Sequence, residues 1–220
     1  MPTNTYVALS TYTIPSATSS YTFSSIPSTY TDLVLVINAK NASTGSYPKI
    51  RVGNGSVDTG SNYSRNYLSG TGSSAVSGRD SNISFGSLAA YADSGTTFAF
   101  TSISHIMNYS NTTTYKTILA RSNNANYGVD AIVDLWRSTS AINTVQVYAD
   151  TNFETGSTFS LYGIAASGVS PAAKATGGAI YSDDTYYYHV FGSTGTFTPL
   201  SSLSADVLVV AGGGGGSRGG

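Results

Sequence analysis

Leu33-Val-Leu-Val-Ile37 is a continuous apolar run of the kind that forms a strand covered on both faces. Around it, polar and apolar residues alternate strictly in Lys49-Ile-Arg-Val52, Asn82-Ile-Ser-Phe85, Thr97-Phe-Ala-Phe100, Thr144-Val-Gln-Val-Tyr148 and Thr158-Phe-Ser-Leu-Tyr162. A period of two sends successive side chains to opposite faces of a strand. Tyr6–Ile14, Ser104–Tyr109, Tyr115–Arg121 and Ile132–Arg137 complete the predicted strands. Turn clusters separate them: Gly53-Asn-Gly-Ser56, Gly70-Thr-Gly-Ser73 and Ser122-Asn-Asn-Ala-Asn126. No helical period accompanies this pattern, and a parallel sheet would need long crossovers. The expected fold is therefore all-β: an antiparallel β-sandwich, jelly-roll-like, followed by a small β module ending in a polyglycine segment.

The sandwich is expected over residues 1–165. Residues 166–178, small and with one Pro, read as a linker. A small β module over 179–211 follows, with strands at Ala179-Ile-Tyr181 and Tyr186–Phe191 joined by the turn Ser182-Asp-Asp-Thr185. Gly195-Thr-Phe197 and Asp206–Val210 would add two more strands. The apolar Ala205–Ala211 then runs into the glycine-dominated residues 212–220. Glycine loses the most backbone entropy on ordering and buries no side chain. Gly212, Gly213, Gly214, Gly215 and Gly216 thus suit either a flexible tether or close packing of several chains. Four short strands make a thin core, so the module should lean on the first domain, on sister chains or on further sequence.

Composition narrows the function. Only 10% of the 220 residues are charged and the net charge is −1. That argues against binding nucleic acid or anionic membranes, which takes clustered Lys and Arg. Only Lys49 and Arg51 lie close together in the sequence. The absence of Cys excludes disulfides, thiolate metal sites and thiol catalysis. Apolar runs are too short for membrane insertion by a helix, and Met1–Ala8 does not read as a secretory signal.

Tyr21-Thr-Phe-Ser-Ser-Ile-Pro-Ser-Thr-Tyr-Thr-Asp-Leu-Val-Leu35 resembles a recurring opening of virion structural proteins from tailed bacteriophages, especially marine and cyanobacterial ones. Gly60-Ser-Asn-Tyr-Ser64, Asn108-Tyr-Ser110 with Tyr115-Lys-Thr117, Trp136-Arg-Ser-Thr139 and Gly156–Ile164 fit the same pattern. Gly177–Phe191, continuing through Ala211-Gly-Gly, resembles the start of glycine-rich domains in phage tail fibres. The resemblance implies a virion component, in the tail rather than the head, that forms a homotrimer with itself and contacts other virion proteins. It supplies no catalytic residues. Such proteins usually continue through a longer glycine-rich region, and the expectation is that the natural chain does so too.

Candidate chemistry is sparse. Gly214–Gly219 matches G-x-G-x-x-G, but no helix or later acidic residue completes a nucleotide site. Gly215-Gly-Ser-Arg-Gly219 matches G-x-S-x-G without a helix to form a nucleophile elbow. Glycoside hydrolysis needs a carboxylate pair, and the chain has one Glu, Glu154, and ten Asp, most of them beside turn residues. Asp130 and Asp134 near Trp136 could bind a sugar, although a turn Asp and a solvent-facing strand Asp explain them as well. His105 and His189 alternate with apolar neighbours and read as strand residues. Asp183 and Asp184 are weak calcium candidates, since hard cations want clustered carboxylates. No cofactor is expected and no enzymatic activity.

Aromatics remain, with 17 Tyr. Tyr47, Tyr63, Tyr67, Tyr91 and Tyr127 fall in predicted loops. There they would stack on sugars of a host surface glycan, pack between subunits or simply cover the ends of the sandwich, and packing is favoured because Tyr commonly fills half-buried β sites. The expected function is a virion structural protein, in a tail fibre or spike, acting in assembly and host attachment. The alternatives are a head-decorating capsid protein and a carbohydrate-binding adhesin.

Overall fold

The computed structural model describes residues 5–43, 46–90, 98–165, 174–183, 186–200 and 202–210. Among them there is no helix. They fall into two compact units, one ending at Ala165 and one starting at Lys174. The first unit contains β1 (Tyr6–Thr13), β2 (Thr18–Phe23), β3 (Asp32–Ala39), β4 (Lys49–Asn54), β5 (Ser56–Val57), β6 (Tyr63–Gly70) and β7 (Ala75–Ile83). It continues with β8 (Gly86–Ser87), β9 (Phe100–Ile106), β10 (Lys116–Asn124), β11 (Gly128–Trp136), β12 (Thr144–Phe153) and β13 (Thr158–Ile164).

Every pairing is antiparallel, and four of them nest. β4 pairs with β8, β3 with β9, β2 with β12 and β1 with β13. This is one long hairpin of four-strand arms, rolled so that β13 also meets β3 and β12 also meets β4. The result is a jelly roll with sheets β1-β13-β3-β9 and β2-β12-β4-β8. Two hairpins are inserted in the roll, β6–β7 between β4 and β8, and β10–β11 between β9 and β12. They pair through β11 and β6 and extend the first sheet to β1-β13-β3-β9-β10-β11-β6-β7.

The alternating sequences do what their period dictates. Val145 and Val147 are buried while Gln146 and Tyr148 are partly exposed. Leu33, Val34, Leu35 and Ile37 of β3 are all buried. Inward side chains of the two sheets meet in one core that includes Phe23, Leu35, Ile50, Val52, Val147, Phe159 and Leu161. Phe153 and Phe159 close it edge to face at 5.1 Å between ring centroids.

Several elements differ from the sequence reading. β2, β6 and β7 were not expected as strands. Asn82-Ile-Ser-Phe85 is not a strand of its own: Asn82 and Ile83 end β7, and Ser84-Phe85 follow outside any strand. Asn82 has φ 56° there, and the register shifts between Tyr63 and Ser64, so a bulge breaks the period. β9 begins only at Phe100, and residues 91–97 lie outside the described residues. β10 runs on through Asn124, which shortens the expected Ser122–Asn126 turn to Ala125–Tyr127.

The second unit holds β14 (Ala175–Thr176), β15 (Ala179–Ser182), β16 (Tyr187–Val190) and β17 (Thr198–Pro199). β15 and β16 form the expected hairpin, Ala179 facing Val190. Part of the expected linker is strand: Ala175 is buried and pairs with Pro199. Gly195–Phe197 is not a strand; the pairing falls one step later, at Thr198–Pro199. Asp206–Val210 is likewise unpaired, because no described strand lies beside it. The polyglycine residues lie outside the described residues.

The sandwich core predicts a sharp contrast between faces. Leu35→Ala, at a fully buried site of a central strand, should lower unfolding free energy by about 2–5 kcal/mol. Leu119→Ser, on the outer face of β10, should change it by less than about 0.5 kcal/mol. Urea unfolding midpoints of the two variants check this.

Candidate functional site

The five tyrosines separate. Tyr63 opens β6 and is fully buried, so it is a core residue and not a contact residue. Its hydroxyl accepts from the Val52 amide at 3.0 Å and donates toward the carbonyls of Val52 and Asp58 at 3.1 and 3.2 Å. Burial pushes its phenol pKa well above the usual tyrosine value. Tyr67 is also on β6, half-buried, its ring packed so closely that a Cβ on Gly78 would fall 2.4 Å from the hydroxyl. Tyr47 and Tyr127 are loop residues, both half-buried. Tyr91 and Asp184 lie outside the described residues.

Tyr47 and Tyr67 meet at a cluster that sequence spacing conceals. The Arg65 guanidinium lies 5.5 Å from the Tyr47 ring, 5.3 Å from Tyr67 and 5.8 Å from Phe85. Lys49 is caged by Tyr47 at 5.1 Å, Phe85 at 4.8 Å and Tyr148 at 5.8 Å. The fold thus adds Arg65 to the Lys49 and Arg51 pair. Yet Arg65 is paired with Asp80 at 2.6 Å and Lys49 is paired with Asp150. Two of the three cations are thus paired with carboxylates, while Arg51 donates to the Ser84 carbonyl at 3.0 Å and lies 4.3 Å from the Tyr148 ring.

Asp130 and Asp134 are both buried on the inward face of β11, which corrects the solvent-facing reading of the strand Asp. Asp134 Oδ1 accepts from the Ser87 amide at 3.0 Å. Asp130 Oδ2 accepts from the Ala90 amide at 2.9 Å and from the Ser122 hydroxyl at 2.7 Å. They tie the segment around β8, which belongs to the second sheet, to the first. Burial pushes the Asp134 carboxyl from 3.8 up to about 8, against the pull of the Ser87 amide and the Arg65 charge. Among the described residues its Oδ2 has no hydrogen-bond partner. A neutral acid costs less there than a carboxylate. Asp58 shows the opposite outcome. Burial works against its charge, but bonds from Trp136 Nε1 at 2.8 Å, Asn62 Nδ2 at 2.9 Å and the Gly60 amide at 2.8 Å hold it below the usual range.

Tyr127 occupies the other setting. The turns of the two inserted hairpins lie side by side because Val129 of β11 faces Gly70 of β6. Close approach depends on glycine: a Cβ on Gly128 would fall 2.3 Å from the Gly70 carbonyl oxygen, and Gly72 holds φ +83° in the β6–β7 turn. Between the tips is an open groove of about 410 Å³, lined by Thr71, Asn123, Asn124, Asn126, Tyr127 and Val129 with neighbouring Gly and Ala. Asn124 is spent on structure, its Oδ1 accepting from the Asn126 amide at 3.0 Å. Sequence reading singled out Tyr127 alone; the Asn-rich stretch was read as a turn.

In the second unit, Asp183 accepts from the Tyr186 amide at 2.7 Å and the Tyr188 hydroxyl at 2.5 Å, the pattern of a turn-capping residue. His189 Nδ1 lies 2.7 Å from the Gly177 carbonyl, and its ring meets Phe197 edge-on at 5.0 Å. His105 is partly exposed on the outward face of β9. No group of three or more His, Cys, Asp or Glu that could hold a metal occurs among the described residues. Comparison with family models, characterised proteins and solved structures finds no match.

The Asp134 geometry fixes a pH dependence. A folded-state pKa raised from 3.8 to about 8 means the native state keeps a proton that the unfolded chain releases. Stability should therefore be greatest below about pH 4 for this group and decline as pH rises toward 8. Asp134→Asn keeps the Ser87 bond and removes the titration. At pH 7 it should raise unfolding free energy by about 1–3 kcal/mol, with the gain shrinking toward pH 4. Urea titrations of both proteins across that range check the sign.

Proposed function

We propose that the chain is a non-enzymatic structural protein of a tailed-phage virion, a fibre or spike component of the tail that acts in assembly and host attachment. Its jelly roll is the rigid body, and its C-terminal unit joins it to further copies of itself, three in the closed form. The observation that carries the reading is the state of that unit. Ala175 is its one buried apolar residue among those described, whereas Ile180, Tyr181, Tyr186, Tyr188, Val190 and Leu200 are exposed. Val207, Leu208, Val209 and Val210 are 82–89% exposed in an extended, unpaired stretch.

A unit of this size with its apolar side chains in water has no core of its own. Unpaired backbone and alternate apolar side chains of an extended segment are satisfied by strand addition from another chain. Val207–Val210 and the exposed apolar residues of β15 and β16 carry no charge themselves, so little desolvation of ions opposes their burial. The resemblance of Gly177–Phe191 to the entry of fibre glycine-rich domains supplies the phage setting, and closed symmetry is the common form of a homo-oligomer.

Light scattering of the full chain should give about three times the 22.7 kDa monomer mass. Leu208→Asp combined with Val209→Asp should shift it to monomer while the sandwich keeps its near-ultraviolet circular dichroism. A wild-type monomer at about 0.1 mM overturns the reading, since a stable obligate interface persists far below that concentration.

A further inference from the structure

The groove between the two inserted hairpins is made of unusual material for a loop junction. We propose that it is a binding site for a neutral saccharide, with the Tyr127 ring as stacking platform and Asn123 and Asn126 as the polar readers. Three observations lead there. No charged side chain lines the groove, so neither a phosphate, a carboxylate nor a cation finds a counter-charge in it. Its volume of about 410 Å³ falls in the range of small-ligand sites. Asn123 and Asn126 are exposed, and their side-chain amides make no hydrogen bond within the described protein.

Free amides offer paired donors and acceptors, which vicinal hydroxyls answer with acceptors and donors of their own. The half-buried Tyr127 gives a fixed aromatic face, large and amphipathic, with little side-chain entropy left to lose. Thr71 borders the same space with its hydroxyl engaged by Ser73 and Ser74, which holds the β6–β7 turn in place. A polyhydroxylated, uncharged ring with an apolar face matches this combination, whereas an apolar peptide would leave both amides unpaired. Both hairpins are insertions between strands of the nested eight-strand arrangement; Tyr63, Ile118 and Trp136 of their strands belong to the core, whereas none of the tip residues that line the groove does. Their meeting tips are thus a surface set on the fold and not a requirement of it.

The inference deepens the attachment half of the proposed function and rests on it only for the biological setting. Binding is read on the saccharide, assembly on mass, so either can fail alone. The test is saturation-transfer NMR on the full chain with about 5 mM of maltohexaose, mannohexaose or cellohexaose, and a heparin-derived hexasaccharide as anionic comparison. At least one neutral probe should receive saturation. Tyr127→Ala should weaken it about tenfold or more, and Tyr127→Phe should retain it. Asn126→Ala, on the exposed turn, should weaken it by a few-fold. Absence of transfer to every neutral probe, transfer undiminished in Tyr127→Ala, or preference for the anionic hexasaccharide each overturns the proposal.

Discussion

The nested antiparallel pairing of β1 with β13, β2 with β12, β3 with β9 and β4 with β8 is the constraint on which everything else depends. These are contacts between residues more than 100 positions apart at the outer pairs, so the chain gains them only when the whole arm folds over. Once rolled, β3 lies between β13 and β9, and β12 lies between β2 and β4. Their side chains then have a sheet on either side or a core beneath. A single register slip in β3 would turn Leu33, Leu35 and Ile37 from the core to the opposite face. The fully apolar run there resists such a slip less than the alternation of β12 and β13 does. Those strands therefore set the register of the roll.

The roll also fixes where additions can go. Its first sheet would end at β9, an open edge. The β10–β11 hairpin pairs with that edge and β6–β7 pairs with β11, which brings distant insertions into contact. The extension is not covered by a matching extension of the second sheet. Its inner face combines the buried apolar side chains of Tyr63, Ile118, Ile132 and Trp136 with polar ones that have fixed partners: Arg65 with Asp80, Asp130 with Ala90 and Ser122, Asp134 with Ser87. Rigid strands on one side and glycine-dependent turns on the other hold the tips together, which gives the groove around Tyr127 a defined floor.

Legibility in the sequence followed chemistry. Strands whose inward residues are aliphatic or aromatic, such as β3, β12 and β13, are plain from period alone, whereas β9, with Ser102 and Ser104 buried between Phe100 and Ile106, is legible only at its two ends. β6 and β7 are not, because Arg65, Tyr67 and Asp80 occupy inward positions and erase the apolar alternation. Val207–Val210 shows the reverse case, a strong strand pattern without a partner strand. Local pattern reports a preference for burial and not what supplies it. Asp130 and Asp134 looked like surface residues since carboxylates seldom are buried; the segment 86–90 that satisfies them lies about 40 residues away. Tyr127 was visible as a loop aromatic, but its neighbours across the groove arrive through the β6–β11 pairing, which no sequence window contains.

The central claim is that the jelly roll is complete in itself while the C-terminal unit is completed by other copies. Amide hydrogen exchange of the full chain, followed over a dilution series, tests it most directly. The account predicts that amides of β3 and β13 keep their protection at every concentration. Those of Val207–Val210 should be protected in concentrated protein and lose protection on dilution. Val207–Val210 exchanging freely at all concentrations, or protected equally at all of them, would contradict it.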